Sequence, residues 1–144
     1  HMDDLIATMR ANVEFFDGIY ADGNKYEVPS VGKIKGHWFK GKADIITETQ
    51  IIDLKTTSNI HDFKWSARKY NYDSQCYIYQ MLFGKPLVFY VIDKTNFLMG
   101  IYKPSEDFVR GGEEKVKRAL NVYDMFFGEN PTHDITNYFI EETL

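Results

Sequence analysis

Residues 41–57 read GKADIITETQIIDLKTT, and they decide how the rest of the chain is interpreted. Two apolar runs, residues 43–46 and 51–54, are joined by the polar tetrapeptide 47–50. Short runs rich in β-branched residues and bounded by polar turns are typical of strands. The stretch therefore predicts two adjacent antiparallel strands, each of which carries one carboxylate, Asp44 or Asp53, among residues expected to be buried.

These two carboxylates and Lys55 form the candidate reactive group. A buried carboxylate is costly unless something pairs with it, and a metal ion is a usual partner. Side chains alternate along a strand, so Asp53 and Lys55 point to the same face. Two carboxylates and a lysine suit metal-assisted attack of water on a phosphodiester. The alternative is a structural ion pair between Asp44 and Lys55, because the tripeptide Asp-x-Lys alone is common.

The wider pattern resembles the PD-(D/E)xK nuclease superfamily, specifically its RecB/RecE-like (lambda-type) exonuclease branch. Three pieces carry the resemblance in order: Gly41-Lys42-x-Asp44, residues 51–57, and Gln75-x-x-x-Tyr79 on a following helix. The resemblance implies an α/β fold with a three-layer restriction-endonuclease-like core, in which helices flank a central mixed sheet of about five strands. It also implies a metal-dependent DNA exonuclease that hydrolyses phosphodiester bonds.

The same resemblance gives expected roles to the residues of the site. Asp44, Asp53 and the backbone carbonyl of Leu54 would hold Mg²⁺ or Mn²⁺, and the Leu54 side chain would pack inward on the opposite face of its strand. Lys55 would orient or help to deprotonate the attacking water, or stabilise the developing charge.

Gln75 and Tyr79 stand four residues apart, on one face of the predicted helix. The resemblance places Gln75 near the metal-bound water or phosphate and Tyr79 near the scissile region. A polar patch with core tyrosines on an amphipathic helix is the alternative.

A further acidic ligand is left open by the sequence. Relatives carry another acid ahead of the first aspartate, and Glu27 stands at about that distance. Glu14 is the alternative from the N-terminal helix, although its helical angle turns it away from the apolar stripe. That helix has no histidine, so the number of metals and the identity of the first motif stay undetermined.

Contacts to DNA are expected from residues that flank the site. They are Lys42, Thr56, Thr57, Lys64, Arg68 and Lys69. Solvated surface is the alternative for the basic residues, and the end of a strand for the threonines. Aromatic residues are interleaved with the second basic group at Trp65, Tyr70 and Tyr72, where they either stack on bases of single-stranded DNA or belong to the core.

Two other patterns do not support a site. Residues 36–42 have the spacing of a phosphate-binding loop, but Ala43 stands where Mg²⁺ needs Ser or Thr, and a strand follows instead of a helix. His37, His61 and His133 show no metal-ligand spacing.

Length and composition suggest a single domain of residues 1–144, in which His1-Met2 resembles a cloning remnant. With 44% hydrophobic residues and one cysteine, Cys76, the chain predicts a well-filled core and no internal disulfide. No apolar run is long enough to cross a membrane and no signal peptide is recognised, so a cytoplasmic location in a bacterial or phage-infected cell is expected. The net charge of −4 argues mildly against nucleic-acid binding, but local basic patches can coexist with it.

The predicted function is exonucleolytic cleavage of linear double- or single-stranded DNA in phage-type recombination or repair. The resemblance adds a single-strand annealing protein as an expected partner. An endonuclease on the same fold and a non-catalytic DNA-binding module are the alternatives. The sequence specifies neither strand polarity nor oligomeric state.

Hydrophobic periodicity predicts the elements that carry these residues. The predicted helices are 3–16, 61–70, 73–83 and 105–127, and the predicted strands are 25–37, 38–47, 50–56, 87–92 and 97–102. Leu5, Ile6, Met9, Val13 and Phe16 form the expected core face of the first helix, which Asp17-Gly18 should end. Asp73 and Ser105 are expected helix caps, and Gly111-Gly112 are expected to loosen the last helix.

Overall fold

A computed structural model describes residues 2–144 of the chain, except for the side chains of Met2, Asp4, Leu5 and Thr8. The main elements are α1 (Met2–Tyr20), β1 (Lys25–Ile34), β2 (His37–Ile46), β3 (Ile51–Thr57), α2 (Phe63–Lys69), α3 (Tyr72–Phe83), β4 (Leu87–Asp93), β5 (Met99–Tyr102) and α4 (Glu106–Phe127). His1 and the Leu5 side chain lie outside the described residues, so the predictions made for them stay predictions.

The five strands form one mixed sheet, as predicted, and their order in it is β1-β2-β3-β4-β5. The β3–β4 pair is parallel and the other pairs are antiparallel. A parallel pair needs a crossover connection, and α2 and α3 supply it. The β1–β2 hairpin closes over Lys35 and Gly36, whose φ angles of 50° and 80° match the twist of the flanking strands.

Helices cover both faces of the sheet, which confirms the predicted three-layer α/β fold. On one face, Phe15 of α1 packs with Ile45, Ile52, Val88 and Tyr90. On the other face, α2 and α3 cover a larger cluster that includes Ile51, Phe63, Cys76, Leu87 and Phe89. Because β4 is buried on both sides, its apolar residues run without alternation. α4 packs outside α3, through Val116 against Tyr77.

The first helix departs from its prediction in length. α1 continues through Gly18 to Tyr20 instead of ending at Asp17. Gly18 is required by packing, because an added Cβ would collide with the Tyr90 hydroxyl. The side-chain amide of Asn24 donates to the carbonyls of Gly18 at 2.7 Å and Ile19 at 3.2 Å, and thereby satisfies the end of the helix.

The predicted core face of α1 is also wrong. Ile6, Met9, Val13 and Phe16 are exposed, whereas Phe15 is buried against the sheet. Periodicity correctly predicted a helix, but it cannot tell which apolar stripe of a helix meets the sheet.

The predicted cap of α3 is wrong for a related reason. Asn71 occupies the cap position with φ of 62°, and Asp73 is 1% exposed with its Oδ1 atom 3.0 Å from Lys115 Nζ of α4. Gly112 does not loosen α4; it lets that helix approach so closely that a Cβ would collide with the backbone of Asp73. Ser105 caps α4 as predicted, accepting the Phe108 N–H at 3.1 Å.

Candidate active site

The candidate site forms where β2 and β3 part. β2 pairs with β3 only through Ile45↔Ile52 and Ile46↔Ile51, and β3 then continues along β4. The alternation of β2 slips at Asp44, because Ala43 belongs to the cluster under α3 while Ile45 belongs to the cluster under α1. Such an irregularity redirects a side chain and ends the pairing of two strands.

Asp44 fills the gap that this parting leaves. Its Oδ2 atom accepts a hydrogen bond of 2.8 Å from the backbone N–H of Leu54. That amide would otherwise lack its ladder partner on β2, so the carboxylate replaces a strand–strand hydrogen bond. The interaction brings Asp44 to the strand that carries Asp53 and Lys55.

Asp53 is the buried carboxylate of the site, with 3% exposure. Its Oδ1 atom accepts a hydrogen bond of 3.0 Å from Gln75 Nε2 of α3. Its Oδ2 atom lies 3.0 Å from Lys55 Nζ, but no group among the described residues makes an aligned hydrogen bond to that oxygen. A buried oxygen with a charge contact and no hydrogen bond is a natural position for a cation to bind.

The electrostatics of the two carboxylates agree with this geometry. The pKa of Asp53 is raised to about 6, mainly by burial and to a smaller extent by the charge and the side-chain contact of Asp44. The charge of Lys55 and its contact with the carboxylate act in the opposite direction. A carboxylate whose ionised form is disfavoured by burial and by a like charge is stabilised when a divalent ion binds beside it.

Lys55 is held between two groups of α3. Its Nζ donates to Gln75 Oε1 at 2.8 Å and lies 4.3 Å from the centre of the Tyr72 ring. Gln75 therefore contacts both charged residues of β3 through its two amide atoms. The Tyr72 contact was not predicted, although the helical spacing of residues 72, 75 and 79 could have indicated a shared face.

Tyr79 lies on that same helix but contacts another strand. Its hydroxyl group lies 3.3 Å from both the backbone N and the backbone O of Lys42. Its ring packs on Gly41, where an added Cβ would stand 2.8 Å from Cε1. Tyr79 thus fixes β2 against α3, and the glycine of the Gly41-Lys42-x-Asp44 motif makes room for the ring.

The structure places Leu54 and Glu27 differently from what the sequence led us to expect. The Leu54 side chain is 42% exposed, so its predicted inward packing is wrong, because α1 covers Ile52 but leaves position 54 open. Glu27 is exposed, with φ of 50°, at the gap opposite Asp44 in the β1–β2 register. In the part of the chain that the structure describes, no three His, Cys, Asp or Glu side chains converge, so Glu27 does not join the two aspartates. Glu14 is exposed on α1.

The two threonines after the lysine have separate positions. Thr57 Oγ1 lies 3.3 Å from both the backbone O and the backbone N of Asn59, and so closes the turn that follows β3. Thr56 is exposed and alternates with Lys55, so it points to the opposite face of the sheet.

The basic residues lie in two places. Lys42 is exposed on the β1–β2 hairpin, and Lys64, Arg68 and Lys69 are exposed on α2. The Arg68 guanidinium lies 5.1 Å from the centre of the Phe108 ring, which directs it toward α4.

The donor set favours a hard divalent cation. Carboxylate and carbonyl oxygens are the ligands that Mg²⁺ and Mn²⁺ prefer, and Asp44 and Asp53 offer such oxygens at the opening of the sheet. Cys76, the buried neighbour of Asp53, offers a soft sulfur that hard cations such as Mg²⁺ disfavour. Burial and then the charges of Asp53 and Asp73 raise its pKa to about 12, so the thiol is protonated at neutral pH.

Comparison with known proteins supports the resemblance noted in the sequence. A family model described as a PDDEXK-like domain of unknown function (DUF3799) matches residues 1–132. The crystal structure of a protein from Eubacterium rectale, described as a candidate exonuclease, is 19% identical and superposes over 99% of this chain with a TM-score of 0.66. This chain spans 61% of that protein, so the likeness concerns the fold of the shared part.

A second crystal structure, named SSO0001, is also 19% identical. The match covers 79% of this chain and 58% of the other protein, with a TM-score of 0.45. No curated protein matches the sequence. From Met2 onward, none of the helices combines the length and the apolar character needed to span a bilayer.

Proposed function

The chain belongs to the DUF3799 family of PDDEXK-like domains, and from that premise we propose that it is a divalent-metal-dependent deoxyribonuclease. One observation carries the proposal: Asp44 and the Asp53–Lys55 pair meet where β2 and β3 part, and one buried Asp53 oxygen lacks an aligned hydrogen bond. The Leu54 hydrogen bond accounts for one oxygen of Asp44 and the ion pair accounts for the charges of Asp53 and Lys55, but neither accounts for the buried Asp53 oxygen that lacks an aligned hydrogen bond.

Each residue has a proposed role in hydrolysis. Asp44, Asp53 and the Leu54 carbonyl hold Mg²⁺ or Mn²⁺, which supplies Lewis-acid chemistry and lowers the pKa of a bound water. Lys55 positions the attacking water or stabilises charge on the phosphate. Gln75 keeps the Asp53 carboxylate and the Lys55 ammonium in register through its two hydrogen bonds.

Two residues have secondary proposed roles. Glu27 stands apart from the two aspartates in the structure, and it is proposed as a further ligand whose exposed side chain turns toward Asp44 when the metal binds. Tyr79 is proposed as the residue that holds the Asp44 strand in place. Removal of either side chain tests its role by the change in metal affinity.

The finer proposal is exonucleolytic degradation of linear DNA in phage-type recombination or repair. It is supported by the RecB/RecE-like motif order and by the fold shared with the protein described as a candidate exonuclease. The DNA backbone would be contacted by Lys42, Thr56, Thr57, Lys64, Arg68 and Lys69. Cooperation with a single-strand annealing protein is proposed from the resemblance alone, and co-purification with such a protein would test it.

End-labelled linear DNA and a closed circle of the same sequence test the function, each with Mg²⁺, Mn²⁺ or a chelator. An exonuclease degrades the linear DNA and spares the circle. Cleavage of the circle would show an endonuclease, and binding without any cleavage would show a DNA-binding module. Asp53→Ala and Lys55→Ala should abolish cleavage, whereas Asp22→Ala, which removes an exposed carboxylate in a turn, should not.

A further inference from the structure

A row of aromatic rings leads from the core past Lys55 to solvent. Tyr72 packs against Phe63 and Phe89 with centroid distances of 6.0 and 5.9 Å, and its ring also contacts Lys55 Nζ. The Tyr70 ring lies 6.0 Å from the Tyr72 ring at an interplanar angle of 38°. Tyr70 itself is 61% exposed. It therefore presents a ring to solvent and is linked to the proposed catalytic lysine through a single residue, Tyr72.

The turn that carries Tyr70 is held in place from beneath. Lys115 Nζ donates to the Arg68 carbonyl at 2.7 Å, to Asn71 Oδ1 at 3.2 Å and to buried Asp73 Oδ1 at 3.0 Å. The Tyr70 N–H also donates to the Ser66 carbonyl at 2.9 Å. A ring on a fixed turn loses little conformational entropy when a ligand covers it.

The helix that leads into this turn is basic. α2 has the sequence FKWSARK, which contains three cationic residues and no acid. Lys69 immediately precedes Tyr70, and Lys64 lies on the exposed side of the same helix. In a chain of net charge −4, this local excess of positive charge favours a polyanion beside the exposed ring.

We propose that Tyr70 stacks on an unpaired base next to the phosphate at Lys55, so that the site accepts a single-stranded end of DNA. The inference rests on the proposed function, since it defines the substrate of the same site. Bases inside a duplex are already stacked on both faces, and a side chain reaches such a face only at an end or an unpaired nucleotide. A fixed aromatic ring beside cationic residues is the usual platform for such a base.

Binding measurements with a fluorescent twelve-nucleotide oligothymidylate, made in chelator to prevent cleavage, test the stacking. Tyr70→Ala should weaken binding by ~5- to 150-fold, the range for loss of one base–aromatic stack. Tyr70→Phe should bind within about 3-fold of wild type, because the ring remains. A closed circular duplex, which has neither an end nor an unpaired nucleotide, should bind both variants like wild type.

Tyr20→Ala is the matched control, since Tyr20 is 74% exposed at the end of α1 on the other face of the sheet. It should leave oligothymidylate binding unchanged. Should Tyr70→Ala fail to fold, Tyr70→Leu keeps apolar bulk without the aromatic face and should show the same loss.

A series of oligonucleotides with one abasic site locates the contact. At one position, loss of the base should weaken binding of the oligonucleotide to wild type. At that same position, loss of the base should not change the affinity of Tyr70→Ala, which has no ring to stack on it. The proposal is overturned if no position behaves in this way, or if Tyr70→Ala binds single strands like wild type or loses single-stranded and duplex DNA equally.

The two proposals fail in different ways. Cleavage by wild type and by Tyr70→Ala at the same rate, with equal binding of single strands, overturns the stacking and supports the nuclease. Tyr70-dependent binding of single strands without any metal-dependent cleavage supports the stacking and overturns the nuclease.

Discussion

Replacement of Gln75 by alanine tests whether α3 belongs to the site or only supports the sheet. The variant removes the hydrogen bonds of 3.0 Å to Asp53 and 2.8 Å from Lys55. After their loss, neither oxygen of the Asp53 carboxylate has an aligned hydrogen bond to a described residue. Lys55 keeps only the charge contact with Asp53 and the face of the Tyr72 ring.

Both catalysis and stability should respond. Loss of a group that orients metal ligands typically costs ~10- to 100-fold in activity or metal affinity, and that is the expected fall in cleavage rate. Hydrogen bonds to charged groups contribute about 1.5–3 kcal/mol, and we expect the metal-free protein to lose about that much stability. The melting temperature should then fall by roughly 3–10 °C. Excess Mn²⁺ should reduce this thermal loss, because a bound cation satisfies the carboxylate.

The assay compares initial rates on end-labelled linear DNA with melting curves in chelator and in Mn²⁺. Gln80→Ala is the control, because Gln80 lies on the same helix and its side-chain oxygen is 3.9 Å from Cys76 Sγ. A rate for Gln75→Ala within about 2-fold of wild type would refute the reasoning. Equal losses of rate in the two variants would mean that α3 acts only as scaffold.

Three other substitutions test parts of the same structure. Asp44→Asn should weaken Mn²⁺ binding in calorimetry and keep or raise the melting temperature in chelator, since it removes the charge that disfavours ionised Asp53; a clear loss of stability would contradict the proposed repulsion. Gly41→Val should destabilise the protein by ~1–3 kcal/mol in urea unfolding, because its side chain displaces the Tyr79 ring, and Tyr79→Ala in the same chain should restore part of the loss. Asp93→Asn should lower the melting temperature at pH 7, and the difference from wild type should shrink as pH falls from about 4 to about 2. Hydrogen bonds hold the Asp93 pKa at about 2, so its stabilisation is present above its ordinary pKa and lost as pH falls through the lowered one; a difference independent of pH would contradict this.

The strands, and the adjacency of the two that carry Asp44 and Asp53, could be predicted because they depend on local patterns. The alternation of side chains along a strand predicted that Asp53 and Lys55 lie on one face. The polar residues 47–50 predicted the turn between β2 and β3. The continuous apolar run of β4 also indicated a strand buried on both sides.

Features that depend on contacts between distant segments could not be predicted from the sequence. Gly18 resembles a helix stop, yet it is needed because Tyr90 of a central strand approaches α1. Asp73 has the character of a cap, yet its partner is Lys115, far along the chain on α4. A pattern along the chain gives a residue's local preference, whereas these roles are set by which element packs above it.

The site also escaped prediction in one respect that matters for its chemistry. Sequence spacing brought Asp44 and Asp53 to neighbouring strands, but it did not indicate that β2 and β3 pair through only two residue pairs before they part. That parting depends on the slip of alternation at Asp44, and a single irregular residue leaves no mark in hydrophobic periodicity.

The buried thiol of Cys76 allows the opening of α3 away from the sheet to be measured in the unmodified protein. Its thiol is fully enclosed beside Asp53, and its pKa of about 12 keeps it from reacting at neutral pH while the helix is seated. Alkylating reagents can reach it only in molecules whose α3 has opened, so the rate of labelling reports the frequency of that opening without any engineered probe. Because the native thiol is protected in the same way, a cysteine introduced at the surface can be labelled with a fluorophore without labelling Cys76.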